Sequence, residues 1–299
     1  MNSQKNKIER PAPLTLKEKT LSYLKEFGIV FGLFLLINNF VIAAFLVPTG
    51  SMENEVLTGE RLFVNKFIYG GISPRNIPFT NIRLPWFRLP AIKDVKRGDV
   101  IVFVFPGMRD EVEPQDFTFY LKRCVGVSGD TIQIRNRVLS VNGQLQPMPR
   151  NVKYDHGWSV PANEADDGIF PAGSGWNQDN FGPLVVPKRG MVISLNTQNI
   201  SAWQIFIMRE GHIVESITGT VLVDGKPATS YTVQRDYLFG MGDHRDNSLD
   251  GRYWGFIPKE NVVGTPMIVF WSWNTDLPLY DIFGKLASVR WGRIGSLIK

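Results

Sequence analysis

Cysteine, histidine and concentrated basic charge are scarce in this sequence. Cys124 is the only cysteine among 299 residues, so no internal disulfide can form to staple the fold. His156, His212 and His244 each lack a second ligand three or four residues away, which argues against a zinc site. The formal net charge is +5, but no basic stripe or RNA-binding motif follows residue 26, so nucleic acid is not an expected partner.

Loops that bind small ligands are missing as well. The stretch DNSLDG at 246–251 imitates the first half of a calcium-binding loop, yet Ile257 stands where such a loop needs a bidentate glutamate. No glycine-rich phosphate loop is present. The sequence therefore predicts neither a metal nor an organic cofactor.

A long apolar run is present at residues 27–47, FGIVFGLFLLINNFVIAAFLV. It carries no charge and only two strongly polar side chains, Asn38 and Asn39. A helix of this length, at ~1.5 Å per residue, spans about the ~30 Å of a bilayer core. A buried helix of a soluble protein would keep a polar face, and a removable signal peptide would have a shorter apolar region that ends at small residues. We predict a retained transmembrane helix at 27–47 that Pro48 ends.

The charge of residues 1–26 predicts the orientation of this helix. This segment holds six basic residues against three acidic ones. Because cytoplasmic flanks carry the excess of lysine and arginine, it is expected in the cytoplasm, with everything after the helix on the other side of the membrane. No second span is predicted, because the apolar stretch near residue 270 is too short.

Strand-like runs recur through the rest of the chain and predict a mainly β fold. They are rich in β-branched and aromatic residues and are bounded by glycine, proline, asparagine and aspartate. Two similar turns, Asn-Gly and Asp-Gly, bracket a loop-rich region. We therefore predict a main β domain at 48–139 and 236–299, interrupted by an inserted smaller β domain at 140–235. The predicted strands are 61–69, 99–105, 117–127, 131–143, 185–195, 203–208, 219–225, 236–242 and 262–271.

The segment 76–93 mixes aromatic residues with arginines and contains three prolines, so neither a helix nor a central strand is expected there. It is either a surface loop that packs its own aromatic rings or a segment that dips into the lipid interface. The sequence leaves both open.

A serine nucleophile needs a base, and the sequence offers two. His244, which lies beside Asp243, could complete a Ser-His-Asp arrangement with Ser51, but Ser51 lacks the G-x-S-x-G elbow. A lysine can replace histidine where burial lowers its pKa. Lys122 lies inside an apolar strand, although a lysine on a solvated strand face is the plainer interpretation.

Four blocks, taken together, resemble the type I signal peptidases, the membrane-bound Ser/Lys proteases that remove signal peptides from exported proteins. The blocks are PTGSM at 48–52, KRGDVIVF at 96–103, YLKRCVGVSGDTI at 120–132 and MGDHRDNSLDGRYWGFIP at 241–258. The resemblance implies a mainly β catalytic domain that a smaller β domain interrupts. It also implies a serine endopeptidase without metal or cofactor.

The resemblance also implies roles for individual residues. Ser51 would be the nucleophile and Lys122 its neutral general base, which Ser248 would orient through a hydrogen bond. Asp250 and Arg252 would form a supporting ion pair near the site.

Further implied roles concern the substrate. The Thr49 hydroxyl, together with the Ser51 N–H, would hold the oxyanion. A shallow apolar pocket would be lined by Val47, Tyr120 and Leu121. The chain departs from the family pattern at two places: His244 stands where the family usually has asparagine, and Glu53-Asn54 follow Ser-Met where Pro-Thr is common.

The implied substrates are preproteins with Ala-x-Ala-type signal peptides. The implied location is the inner or plasma membrane, with a single span in the lipid bilayer, the catalytic domain on the periplasmic side, and contact with the secretion translocon as a further expectation. Two rival functions stay open. One is a membrane-anchored, non-catalytic β module that binds a peptide or envelope partner, and the other is a self-cleaving Ser/Lys protease of the repressor type.

Overall fold

The N-terminal helix α1 covers Leu16–Phe40 in the computed structural model, which describes residues 15–73, 82, 84–85, 87–217, 219–278 and 280–299. Thr15 begins α1 through a capping box, in which its hydroxyl accepts a hydrogen bond from the Glu18 N–H and the Glu18 carboxylate accepts one from the Thr15 N–H. None of the side chains of α1 is buried in the protein. Within the described ranges it is the one helix long and apolar enough to cross a membrane.

The helix predicted at 27–47 is wrong at both of its ends, because α1 starts and stops earlier in the chain. Residues Ile42–Leu46 form strand β1, which pairs antiparallel with β2 (Glu60–Asn65). An uninterrupted apolar run contains no change of pattern to mark where a helix gives way to a strand. The partner strand decides the boundary instead, and Pro48 follows a strand rather than a helix.

The rest of the described chain is built mainly from short strands, so the predicted mainly β class is confirmed. The further strands are β3 (Val100–Val104), β4 (Phe119–Gly126), β5 (Thr131–Arg135), β6 (Val138–Val141), β7 (Gln144–Leu145), β8 (Phe181–Val185), β9 (Val192–Ser194), β10 (Val214–Ile217), β11 (Thr220–Val223), β12 (Lys226–Pro227), β13 (Ser230–Thr232), β14 (Tyr237–Met241), β15 (Ile257–Pro258) and β16 (Val262–Ser272), and the further helices are α2 (Ile200–Arg209), α3 (Gly251–Trp254) and α4 (Ile282–Ala287).

One predicted strand, 203–208, is wrong because these residues belong to α2. Ile200, Phe206 and Ile207 are the buried residues of that helix; Ile200 and Ile207 lie two turns apart on the same face, and Phe206 lies beside them. A short apolar run looks the same in a strand and in a buried helix, so its sequence does not separate the two.

A seven-stranded antiparallel sheet forms the main body, in the order β1-β2-β16-β3-β4-β14-β15. Strand β3 lies near its centre and is buried along its whole length, which explains its continuous apolar sequence VIVFV. Val102 faces one apolar cluster, whereas Ile101 and Phe103 face a second cluster on the other side. The rings of Phe45 in β1 and Phe119 in β4 make an edge-to-face contact, with their centroids 5.1 Å apart. The sheet is therefore curled, so that side chains of these two strands meet.

The inserted region forms three smaller sheets, β7-β6-β5-β8, β10-β11-β12 and β13-β9. The boundary predicted at 139/140 falls inside β6, because β5 pairs with β6 and β8 rather than with β4. The first of these smaller sheets therefore starts at β5, and the division into a main and an inserted domain stays a prediction. The core of the inserted region is continuous with the main sheet, since Ile132 and Phe181 pack in one cluster with Tyr237 and Phe239 of β14.

The aromatic segment 76–93 falls partly outside the described residues. Phe79, Arg83 and Trp86 are among the residues that are not described. Phe87 is 57% exposed, and its ring lies 5.9 Å from that of Phe40 at the end of α1. The choice between a surface loop and a segment that dips into lipid stays a prediction.

Candidate active site

Ser51 lies in the loop after β1, shortly beyond the last backbone hydrogen bonds that join this strand to β2. The Val47 N–H donates to the Glu60 carbonyl at 2.9 Å, so the pairing with β2 continues past the end of β1. Met52, which is 1% exposed, packs into the core directly after the serine. The Ser51 carbonyl accepts a hydrogen bond from the His244 N–H at 3.1 Å. The serine is therefore held by the core on one side and by the 243–250 loop on the other.

Lys122 lies in β4 opposite Ile101 of β3 and is only 3% exposed. Its Nζ donates a hydrogen bond to Ser51 Oγ at 2.5 Å. Burial disfavours the charged ammonium and lowers the pKa of Lys122 to about 8 from its ordinary 10.5, against the attraction of Asp250, while Arg252 lowers it further. A lysine with such a pKa can lose its proton near neutral pH and then accept the serine proton.

The Asp250 carboxylate and the Arg252 guanidinium form a buried ion pair with two hydrogen bonds. Nε lies 2.9 Å from Oδ1 and Nη2 lies 2.8 Å from Oδ2. The Gly242 N–H donates a further hydrogen bond to Asp250 at 3.0 Å. Burial acts to raise the pKa of Asp250, but Arg252 outweighs it and holds the pKa below its ordinary value. The carboxylate is therefore ionised and fixed close to Lys122.

A second buried ion pair joins Arg123 to Asp243, and sequence reasoning missed it. Nε lies 2.8 Å from Oδ1 and Nη2 lies 2.6 Å from Oδ2. The buried carboxylate of Glu55 lies 3.4 Å from the same Nη2. A charged residue in an apolar strand signals that a buried partner exists, but the partner is 120 residues away in the chain and only the fold identifies it.

Ser248 is close to the serine–lysine contact but lacks the hydrogen bond expected of it. It is 8% exposed, and its Oγ has no hydrogen-bond partner among the described residues. It packs against Gly242, where an added Cβ would overlap Ser248 Oγ and would lie 2.5 Å from the Ser51 carbonyl oxygen. The absence of a side chain at Gly242 lets both serines approach this backbone.

An apolar cleft of about 330 Å³ opens beside the Ser51–Lys122 contact. All three predicted pocket residues, Val47, Tyr120 and Leu121, line it, as does Thr49. Its further apolar lining comes from β1 to β4 and includes Phe45, Leu46, Leu62, Val102 and Phe119. A small apolar side chain placed here would lie directly beside the serine.

The histidine alternative does not fit the geometry. His244 Nε2 lies 2.9 Å from Asp155 Oδ1 and Nδ1 lies 3.2 Å from Glu53 Oε2, whereas Ser51 Oγ contacts Lys122. The two acidic residues of the partial calcium-loop pattern, Asp246 and Asp250, each form an ion pair with an arginine. Within the described parts of the chain, no group of three or more histidine, cysteine or acidic residues could hold a metal ion.

In this chain a serine contacts a buried lysine beside an apolar cleft, and a mainly β body follows an apolar helix. These features define a class of protein, one that is equipped for serine-based acyl transfer at a membrane. The family model described as "Signal peptidase, peptidase S26" matches residues 20–271. Signal peptidase I of Pseudomonas aeruginosa is 29% identical over 96% of this chain and 88% of its own length. Signal peptidase I of Aquifex aeolicus is 27% identical over 80% of this chain and 79% of its own length. Signal peptidase I of Helicobacter pylori strain 26695 is 26% identical over 80% of this chain and 78% of its own length.

The chain belongs to the signal peptidase family, peptidase S26. It is a serine endopeptidase of the signal peptidase I type, which removes signal peptides from preproteins. The apolar helix α1 and this membership together identify a membrane-anchored protein. The resemblance found in the sequence is confirmed, and the two rival functions are set aside.

Gly242 gives a test of the close packing at the site. We expect Gly242→Ala to lower kcat/KM for a purified preprotein about 100-fold, because the added methyl group must displace Ser248 or the Ser51 carbonyl. Gly157→Ala is the matched control, since no atom lies within 4 Å of a Cβ there. Thermal unfolding of both variants separates misplacement from loss of fold. A wild-type rate in Gly242→Ala would contradict this packing.

Proposed function

We propose that Ser51 is the nucleophile and Lys122 the general base with which this enzyme cleaves preproteins. The observation that carries the proposal is the 2.5 Å hydrogen bond between Lys122 Nζ and Ser51 Oγ, made by a lysine that is 3% exposed. We assign the catalytic domain to strands β1–β4 and β14–β16, which hold both residues within one sheet and its loops.

The reaction has two halves that use the same base. Neutral Lys122 accepts the hydroxyl proton as Ser51 Oγ attacks the scissile carbonyl, and the ammonium then gives this proton to the leaving amine. The mature protein departs, and the signal peptide stays bound to Ser51 as an ester. Lys122 next takes a proton from water, the hydroxide attacks the ester, and the proton returns to the serine as the signal peptide leaves with a carboxylate.

The negative charge on the carbonyl oxygen needs donors that are already in place. We assign this role to the Ser51 N–H and the Thr49 hydroxyl. The support for Thr49 is its position two residues before the nucleophile in a loop that lines the same cleft. Threonine keeps the hydroxyl donor that serine would supply.

Ser248 and the Asp250–Arg252 pair support the base. Ser248 Oγ, which has no hydrogen-bond partner among the described residues, is available to accept a hydrogen bond from the Lys122 ammonium while the lysine carries the proton taken from Ser51. The ion pair holds the Asp250 charge in a fixed place, so this carboxylate does not turn toward the lysine.

The substrates are preproteins with small residues at the first and third positions before the cut, of the Ala-x-Ala type. Val47, Tyr120 and Leu121 would form the shallow pocket for the first of these residues. The substrate would bind in extended form and pair with a strand edge, and β1 offers one because it is the outer strand of its sheet.

The location follows from charge and connectivity. The basic surplus in residues 1–26 favours a cytoplasmic N-terminus, with the catalytic domain on the periplasmic side of the inner or plasma membrane. Strand β1 follows α1 directly, so the cleft lies close to the lipid surface from which a signal peptide emerges. Contact with the secretion translocon stays a prediction that rests on the route of the substrate.

The base and nucleophile are tested first by removal. We expect Ser51→Ala and Lys122→Ala each to abolish cleavage of a purified preprotein in detergent, because neither half of the reaction can proceed. Ser230→Ala and Lys226→Ala change exposed residues of the same types and should cleave like wild type. Replacing the alanine before the cut with phenylalanine should block cleavage by every variant. Full activity in either of the first two variants would refute the assignment.

The pH dependence tests the state of the lysine. Since only neutral Lys122 can accept a proton, kcat/KM should rise about tenfold per pH unit below its pKa and level off above about 8. An enzyme returned from each pH to neutrality should regain its rate, which controls for irreversible unfolding. A midpoint near the ordinary lysine value of 10.5 would contradict the lowered pKa of Lys122 on which the proposed base depends.

The oxyanion role of Thr49 is tested by its hydroxyl. We expect Thr49→Val to lower kcat about 10² to 10³-fold, because valine keeps the shape but loses the donor, whereas Thr49→Ser keeps most of the rate. Both are measured on the same preprotein. Equal rates for the two variants would remove the hydroxyl from the oxyanion site.

A further inference from the structure

A short segment of the inserted region, residues 151–155, runs beside the loop that contacts the nucleophile. The Lys153 N–H donates to the Asp243 carbonyl at 2.8 Å, and the Arg245 N–H donates to the Lys153 carbonyl at 2.9 Å. These two hydrogen bonds form a parallel bridge between Lys153 and His244. The inserted region is therefore attached by its backbone to the block that surrounds the catalytic pair.

Four side chains meet at this junction, and we name them the charge cluster: Glu53, Lys153, Asp155 and His244. Lys153 Nζ lies 2.8 Å from Glu53 Oε2 and 3.6 Å from Asp155 Oδ1. His244 Nδ1 lies 3.2 Å from Glu53 Oε2 and Nε2 lies 2.9 Å from Asp155 Oδ1. Two members, Glu53 and His244, stand where the sequence departs from the family pattern, and the fold brings these two departures into contact.

The cluster reaches the nucleophile by two backbone routes. His244, which is 3% exposed, donates its N–H to the Ser51 carbonyl at 3.1 Å. Glu53 follows Ser51 by two residues, and its N–H donates to the Gly50 carbonyl at 2.9 Å. A shift of either member would therefore move the backbone that carries Ser51 Oγ.

A second contact ties the same two segments together. Asn151 Nδ2 donates to Glu55 Oε2 at 2.5 Å, and Glu55 is 6% exposed. The loop that carries Ser51 is thus attached to residues 151–155 at two points, Glu53 and Glu55.

The electrostatics of the cluster favour this attachment. The hydrogen bond from Lys153 lowers the pKa of Glu53, and the hydrogen bond from His244 lowers the pKa of Asp155. Both carboxylates are therefore ionised at neutral pH, and they face the Lys153 amine and the His244 ring.

We propose that residues 151–155 of the inserted region position the nucleophile: Lys153 and Asp155 hold Glu53 and His244, which in turn fix the backbone of Ser51 against Lys122. The inference rests on the proposed role of Ser51. Lys153 touches neither the substrate cleft nor the reacting atoms, so it is a positioning residue. Its loss should affect the rate of bond cleavage rather than the binding of the preprotein.

The first experiment compares three variants in kcat, KM and thermal unfolding on a purified preprotein. Lys153→Met keeps the length of the side chain but removes its charge, and should lower kcat about tenfold with KM within about twofold of wild type. Lys153→Arg keeps the ion pair and should restore most of kcat. The control Arg235→Met breaks the Arg235–Glu260 ion pair, which lies outside the cluster. This pair has an N–O distance of 3.0 Å and is about as exposed as the Lys153–Glu53 pair, and its loss should leave kcat unchanged.

The second experiment measures coupling. Glu53→Gln preserves shape and should lower kcat about as much as Lys153→Met, and the double variant should lose little more than either single variant, because both break the same Lys153–Glu53 ion pair. Wild-type kcat in both single variants, equal losses in Lys153→Met and Lys153→Arg, or additive losses in the double variant would each overturn the proposal. Activity in Ser51→Ala would instead overturn the proposed function, so the two failures are distinguishable.

Discussion

The proposed mechanism depends on one constraint, which is that Lys122 must remain buried and still lose its proton. An amine in apolar surroundings favours its neutral form, but ionised carboxylates nearby favour the ammonium. The fold meets this constraint by pairing each nearby carboxylate with an arginine: Asp250 with Arg252 and Asp243 with Arg123. The carboxylates are thereby fixed in place, and the base keeps a pKa of about 8.

The pairing of carboxylates with arginines involves strands of the central sheet that come from distant parts of the chain. Strand β4 places Lys122 and Arg123 next to each other but on opposite faces, and its neighbour β14 leads into the block that supplies Asp243 and Asp250. Strand β2 adds a further buried carboxylate, Glu60, which Arg293 contacts at 2.6 Å. Two of these buried carboxylates, Asp243 and Glu60, are paired with arginines far away in the sequence, so these contacts form only as the sheet itself forms.

The boundary between anchor and body changes the physical picture of how the enzyme meets the membrane. The end of the apolar run is not the last turn of a transmembrane helix but strand β1, an edge of the catalytic sheet. The same residues therefore connect the anchor to the body and line the cleft, as Leu46 does. Only Val41 separates α1 from β1, so a short junction rather than a long linker connects the apolar helix to the strand that lines the cleft.

The sequence by itself determined the β class, the presence of an apolar anchor and the family, and it predicts Ser51 and Lys122 as the catalytic pair, because these depend on local patterns and on short blocks whose order is specific. It did not determine where the anchor ends, that 203–208 is helical, or that β5 and β6 pair within the inserted region, because apolar runs have the same composition in either structure and pairing partners decide. The tertiary structure alone decided the Arg123–Asp243 pair, the lack of a hydrogen-bond partner for Ser248 among the described residues, and the contact of Glu53 with His244. Each depends on distances between residues remote in the chain, and sequence patterns carry information only about neighbours.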